Sequence, residues 1–127
     1  MAKILIVDDE PYIRNFLELL LSTKGHDVLV AEDGESAMAL SLAYDGPIHL
    51  LVTDVIMPRM GGRALADQFA LARPDARVLF VSGYTDDAVM QHGVLEPTVH
   101  YLEKPFTPDT LARKVRRVLD TATVSPA

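Results

Sequence analysis

The stretch KILIVDDEP, residues 3–11, runs four apolar residues, Ile4 to Val7, straight into three acids, Asp8, Asp9 and Glu10. A short apolar run of this kind belongs in a protein interior. Carboxylates gathered at its end repel one another, at roughly 4 kcal/mol for a pair about 4 Å apart in an effective dielectric of about 20. The fold must therefore supply a reason for the acids to stay together.

Outward from this stretch, similar runs recur at Val28–Ala31, Ile48–Val52, Val78–Val81 and Val99–Leu102. They are short and mostly β-branched or Leu, as expected of buried parallel strands, and are read as β2 to β5 after β1 at Ile4–Val7. Helix-period segments separate them. In residues 11–25 (α1) Ile13, Phe16, Leu17, Leu20 and Leu21 form one amphipathic stripe, with Gly25 as the stop. Residues 33–46 (α2) begin on an acid and end at Gly-Pro, and residues 61–74 (α3) end before Pro74. Residues 85–93 (α4) are short and irregular, and read as a marginally stable helix. Residues 107–120 (α5) carry Leu111, Val115, Val118 and Leu119 on one face, with Thr107 as N-cap and Pro108 at the first helical position.

Five β-α units in alternation imply an α/β fold with a parallel sheet and helices on both faces. At this length the flavodoxin-like order 2-1-3-4-5 is expected, with the switch point between β1 and β3. The 127 residues form one domain, expected over 1–121, with 122–127 as a C-terminal tail. Zero cysteines exclude disulfides, thiolate metal sites and Cys nucleophiles. A net charge of -6 argues against direct binding to nucleic acid. No membrane span or signal peptide is apparent, and a cytoplasmic location is expected.

If β1 and β3 are neighbours, Asp8, Asp9 and Asp54 meet at the switch point. Ser82 follows β4 and Lys104 follows β5, on the same carboxyl edge. Oxygen-only ligands without nearby His or Cys suit a hard cation, and Mg²⁺ above all. A cation, a Lys ammonium and a Ser hydroxyl around one carboxylate make a phosphoryl-transfer arrangement, with Asp54 as nucleophile. Taken singly, each residue has a plainer role: acids after a strand cap the next helix, an Asp at a strand end makes a turn, and a Lys before Pro is solvated. Glu10 is left in that plainer role. His26, His49, His92 and His100 are scattered without metal-ligand spacing. The run RKVRR, Arg113–Arg117, reads as a solvated helix face or a docking surface. Neither a dinucleotide fingerprint nor a P-loop is present.

The motifs ILIVDDEP, LLVTDVIMPRMGG, VLFVSGY and YLEKPF occur in an order and spacing that resemble the receiver domain of two-component response regulators, over Ala2 to about Asp120. VLFVSGYTDDAV and YLEKPFTPDTLARKVRRVLD look like receivers at the C-terminal end of hybrid sensor histidine kinases. The resemblance implies that Asp54 accepts a phosphoryl group from a phosphohistidine of a histidine kinase or histidine phosphotransfer domain. It implies direct Mg²⁺ ligation by Asp9, Asp54 and the Ile56 carbonyl, with Asp8 acting mainly through water. It also implies switch roles for Ser82 and Tyr101, a cis Lys104–Pro105 bond, and an output face made by α4, β5 and α5. The chain is then either a stand-alone receiver or the receiver of a hybrid kinase, a phosphoacceptor with self-catalysed phosphorylation and dephosphorylation rather than an enzyme acting on a separate substrate. Two rivals remain at this point. A haloacid-dehalogenase-type phosphatase needs a D-x-D after the first strand, whereas the acids here are adjacent. An inactive interaction module has no use for the full set of Asp8, Asp9, Asp54, Ser82 and Lys104.

Overall fold

A computed structural model describes residues 2–55, 57, 59–82, 100–103 and 106–120. Its elements run β1 (Lys3–Val7), α1 (Pro11–Thr23), β2 (Asp27–Ala31), α2 (Gly34–Ala43), β3 (Leu50–Asp54), α3 (Gly62–Ala72), β4 (Arg77–Ser82), β5 (His100–Glu103) and α5 (Pro108–Asp120). All four pairings are parallel and the strand order is β2-β1-β3-β4-β5, as expected. Four helices are present among the described residues. The α4 expected at 85–93 and the tail expected at 122–127 lie outside them.

Strict alternation along the strands divides the interior into two cores. Ile4, Ile6, Leu50, Val52, Leu79 and Val81 pack with Leu17 and Leu21 of α1 and Leu111, Val115 and Val118 of α5. Leu5, Val7, Leu51 and Phe80 pack on the other face with Ala37 of α2 and Leu65, Ala66 and Phe69 of α3. Successive strand residues point to opposite faces, so a sheet covered on both sides has to be apolar at every position.

The helix ends follow from local chemistry. The α1 stop is a Schellman arrangement: Gly25 N–H donates to Ser22 O at 3.0 Å and His26 N–H to Leu21 O at 3.2 Å. It requires a left-handed residue, which Gly25 supplies with φ 93°. Asp33 caps α2 by accepting from Ser36 N–H at 2.7 Å. Thr107 caps α5 by accepting from Thr110 N–H at 3.1 Å.

Most element boundaries shift by one to three residues from expectation, and those at β3, β4 and α2 have a visible cause. β3 begins at Leu50 rather than Ile48 and runs on through Asp54. At its start, Lys3 N–H donates to the His49 ring Nδ1 at 2.9 Å rather than to a backbone carbonyl. At its end, Thr53 and Asp54 are buried polar residues that a search for apolar runs leaves out. β4 likewise extends through Ser82, a polar residue type that a search for apolar runs leaves out. α2 stops at Ala43, short of Gly46, because Tyr44 is already extended at φ -77°, ψ 123°.

Candidate functional site

The carboxyl ends of the strands are level. Val7 pairs with Thr53, Asp54 with Val81, and Ser82 with Glu103. Asp8 leaves β1 and Asp54 ends β3 at the point between these two adjacent strands where the winding reverses. The switch point therefore carries the acids, in the position where ligands bind such sheets.

Asp8, Asp9 and Asp54 each bring one carboxylate oxygen to within 4.8 Å of the others. Asp8 is 1% exposed and Asp54 5%, while Asp9 faces solvent. Mg²⁺ takes oxygens at about 2.0–2.1 Å in an octahedron, which places neighbouring ligands roughly 3 Å and opposite ones roughly 4 Å apart. The three carboxylates could hold such an ion: their oxygens gather within 4.8 Å, a small adjustment from that spacing, and the donor set contains no nitrogen or sulfur.

The surrounding backbone is well tied. Asp8 Oδ1 accepts from Glu10 N–H at 2.9 Å, an Asx turn that leads into α1. Part of the plainer reading of this acid is thus realised alongside its place in the cluster. Arg14 Nη1 donates to Asp8 O at 2.7 Å, and Asp8 N–H to Ala31 O at 3.3 Å. Thr53 Oγ1 donates to Asp54 O at 2.9 Å. Gly62 N–H donates to Val55 O at 2.8 Å, which folds the loop after β3 back against the strand end.

Of the other expected site residues, Tyr101 lies in β5, half-buried against the α2–α3 core. The backbone of Ser82 ends β4 on the acid-bearing edge. The Ser82 side chain, Ile56, Lys104 and the Lys104–Pro105 bond lie outside the described residues.

Sequence reasoning missed three contributors. Arg14 reads as an ordinary polar-face residue, and only the fold turns it back to Asp8. Arg59 adopts φ 68°, unusual for a residue with a side chain, while its guanidinium spans Asp33 and Glu35, each at 2.9 Å. That fork ties the loop after Asp54 to the start of α2. The third is a second apolar stripe on α1: Tyr12, Phe16 and Leu19, at i, i+4 and i+7, are 71%, 36% and 68% exposed. It starts in the first turn of α1, close after Asp8 and Asp9. The sequence places Phe16 in the buried stripe of α1; instead it is exposed, with its ring 6.3 Å from that of Phe106, so that the buried stripe is carried by Leu17 and Leu21 with Ile13 and Leu20 packed against them.

Comparison with known proteins gives a consistent result. The model of the response regulator receiver domain family matches residues 4–116. Sensor kinase CckA of Brucella abortus is 32% identical over 94% of this chain, which corresponds to 13% of that protein. The response regulator receiver protein CpdR of the same organism is 30% identical over 94% of this chain and 98% of its own length. Among solved structures, the receiver domain of hybrid histidine kinase CckA superimposes with a TM-score of 0.79 at 36% identity, covering 94% of this chain and all of that one. Chemotaxis protein CheY4 of Vibrio cholerae gives 0.81 at 30%, covering 93% and 98%. The chain spans about half or less of the curated relatives that head the comparison. No helix among the described residues is long and apolar enough to cross a membrane. With the acids, the sheet order and these likenesses in agreement, the chain belongs to the response regulator receiver domain family of two-component systems.

Proposed function

We propose that this chain is a phosphoacceptor whose nucleophile is Asp54. The observation that carries the reading is the convergence of Asp8, Asp9 and Asp54 within 4.8 Å at the sheet's switch point. An Asp54 carboxylate oxygen attacks the phosphorus of a phosphohistidine on a histidine kinase or histidine phosphotransfer domain. The P–O bond forms as the P–N bond breaks, and the imidazole nitrogen leaves with the electron pair. Asp9, Asp54 and the Ile56 carbonyl, with Asp8 mainly through water, would hold Mg²⁺, which would neutralise charge on the phosphoryl oxygens. Lys104 and Ser82 take the remaining oxygens. Burial of Asp54 excludes competing water, and the bonds from Thr53 and Gly62 around the strand end hold the nucleophile's backbone in place.

Ser82 and Tyr101 form the switch, and the altered face is that of α4, β5 and α5. The exposed stripe Tyr12, Phe16 and Leu19 gives a donor protein an apolar surface beside the rim. The receiver occupies residues 1–121 and acts in the cytoplasm. Its likeness to both a segment of a kinase and the nearly full length of CpdR supports two settings, the receiver of a hybrid kinase and a stand-alone regulator.

Incubation with acetyl phosphate and Mg²⁺, followed by intact mass measurement, is expected to add one phosphoryl group to the parent chain. It should add none to Asp54→Asn, and none to the parent in EDTA. A parent chain that stays unmodified, or an Asp54→Asn chain that gains the same mass, overturns the assignment.

A further inference from the structure

We infer that the cleft between the C-terminal end of α1 and the outer side of α5 is a binding site for a small phosphate-bearing ligand of nucleotide size. The cleft encloses about 510 Å³. That lies within the range of about 300–1,000 Å³ usual for small-molecule sites. It is far from the acid rim: α1 starts at the rim and reaches the cleft with its last turn, and His26 leads into the opposite, amino end of β2.

The lining is cationic in the middle and apolar beneath. Lys24, Arg113 and Arg116 face it with His26, while Leu21 and Leu119 form a floor. Ion pairs among the described residues join Arg59 to Asp33 and Glu35, and Arg63 to Asp67. None of them engages Lys24, Arg113 or Arg116. Arg113 Nε reaches only the Asp109 backbone carbonyl, at 3.5 Å. The two acids of the cleft, Asp109 and Asp120, sit in the first turn and at the last residue of α5, on either side of Arg113 and Arg116 along the helix. Arg113 and Arg116 are three residues apart on one helix face, a spacing that lets two guanidinium groups share one phosphate. On a chain of net charge -6, a cleft holding three cations without an ion-pair partner among the described residues is suited to an anion.

His26 supplies an independent sign. Its ring lines the cleft, and its Nδ1 is buried with no hydrogen-bond partner among the described residues. Buried polar atoms are seldom left that way. Burial, and then nearby positive charge that includes Arg116, hold the His26 imidazole below the ordinary histidine range. An anion seated between Arg113 and Arg116 offsets that field, so ligand binding raises the His26 pKa.

The test is NMR of the full chain in EDTA, which keeps phosphate from being drawn to the acid rim by a divalent ion. Adenosine diphosphate, inorganic phosphate and adenosine are titrated separately. Saturable shifts at His26 and Lys24 are expected with adenosine diphosphate, with phosphate at least about tenfold weaker and adenosine weaker still, and with Asp8 and Asp9 unmoved. A double Arg113→Gln, Arg116→Gln variant, altered only at exposed helix positions, is expected to lose at least about tenfold in affinity for adenosine diphosphate. The inference is overturned by the absence of saturable shifts, by equal affinity for adenosine, or by undiminished affinity in the double variant. Equal affinity for phosphate and adenosine diphosphate overturns the assignment of ligand size.

Discussion

A Cβ built on Gly62 stands 2.1 Å from the carbonyl oxygen of Asp54 and 3.1 Å from Cα of Val55. Both obstacles are backbone, so no side-chain rotation relieves the contact. Gly62→Ala must push the first turn of α3 away from the end of β3, at a cost of about 3 kcal/mol. Urea denaturation should show a lower midpoint at an unchanged m-value. The rate of the proposed phosphorylation by acetyl phosphate should fall as well, since the displaced carbonyl belongs to Asp54, the proposed nucleophile. A parent-like midpoint would show that the loop yields freely. The acids at the rim were legible in the sequence because charge at the end of an apolar run is conspicuous. The role of Gly62 was not, because Gly61-Gly62 looks like any flexible pair until the Asp54 carbonyl is seen against one of them.

Between elements, Arg73 makes the most elaborate tie. It is the C-cap residue of α3, yet its guanidinium closes the end of α2. It donates to Ser41 Oγ at 2.9 Å, Ser41 O at 2.9 Å, Tyr44 O at 3.0 Å and Gly46 O at 2.6 Å. The last carbonyls of a helix have no partners within it, and a fork of donors satisfies several at once. Arg73→Met keeps much of the stem but strands these acceptors, and should cost roughly 2–3 kcal/mol in a thermal or urea melt. A loss below about 0.5 kcal/mol would mean that solvent replaces the guanidinium freely. This contact explains the early end of α2: the chain turns out of the helix at Tyr44, where Arg73 collects the carbonyls. The existence and kind of each described element were readable because apolar runs and 3.6-residue stripes persist over many residues. The boundaries were not, because they depend on single partners such as Arg73, or the His49 ring at the start of β3, that are distant in sequence.

Across the whole molecule, three histidines stand at the amino edge of the sheet, His26 before β2, His49 before β3 and His100 opening β5. Burial, followed by the charges of Lys114 and Arg77, holds His100 below the ordinary histidine range, as burial and Arg116 do for His26. The folded chain therefore binds protons at these two sites at lower pH than the unfolded chain does. Stability from them is complete above pH 6.5, the ordinary histidine value, and is lost as pH falls from there through the lower folded-state values. Urea midpoints should decline between about pH 7.5 and 5.5, and a double His26→Gln, His100→Gln variant should decline less. An identical slope in parent and variant would remove the histidines from the account. The two-faced core was foreseeable at this scale, since every strand is apolar on both sides. Which charges surround each histidine was not, because Lys114, Arg77 and Arg116 reach the edge from other elements.

Gly62 and Thr53 act on the same oxygen, one as a wall and the other as a tether, and Asp54 hangs beyond it at the tip of a central strand. The post that carries this acid is thus clamped at its top. A clamp in that place leaves little give along the strand, so movement that follows a change at the tip is expected sideways, along the rim, rather than down into the sheet.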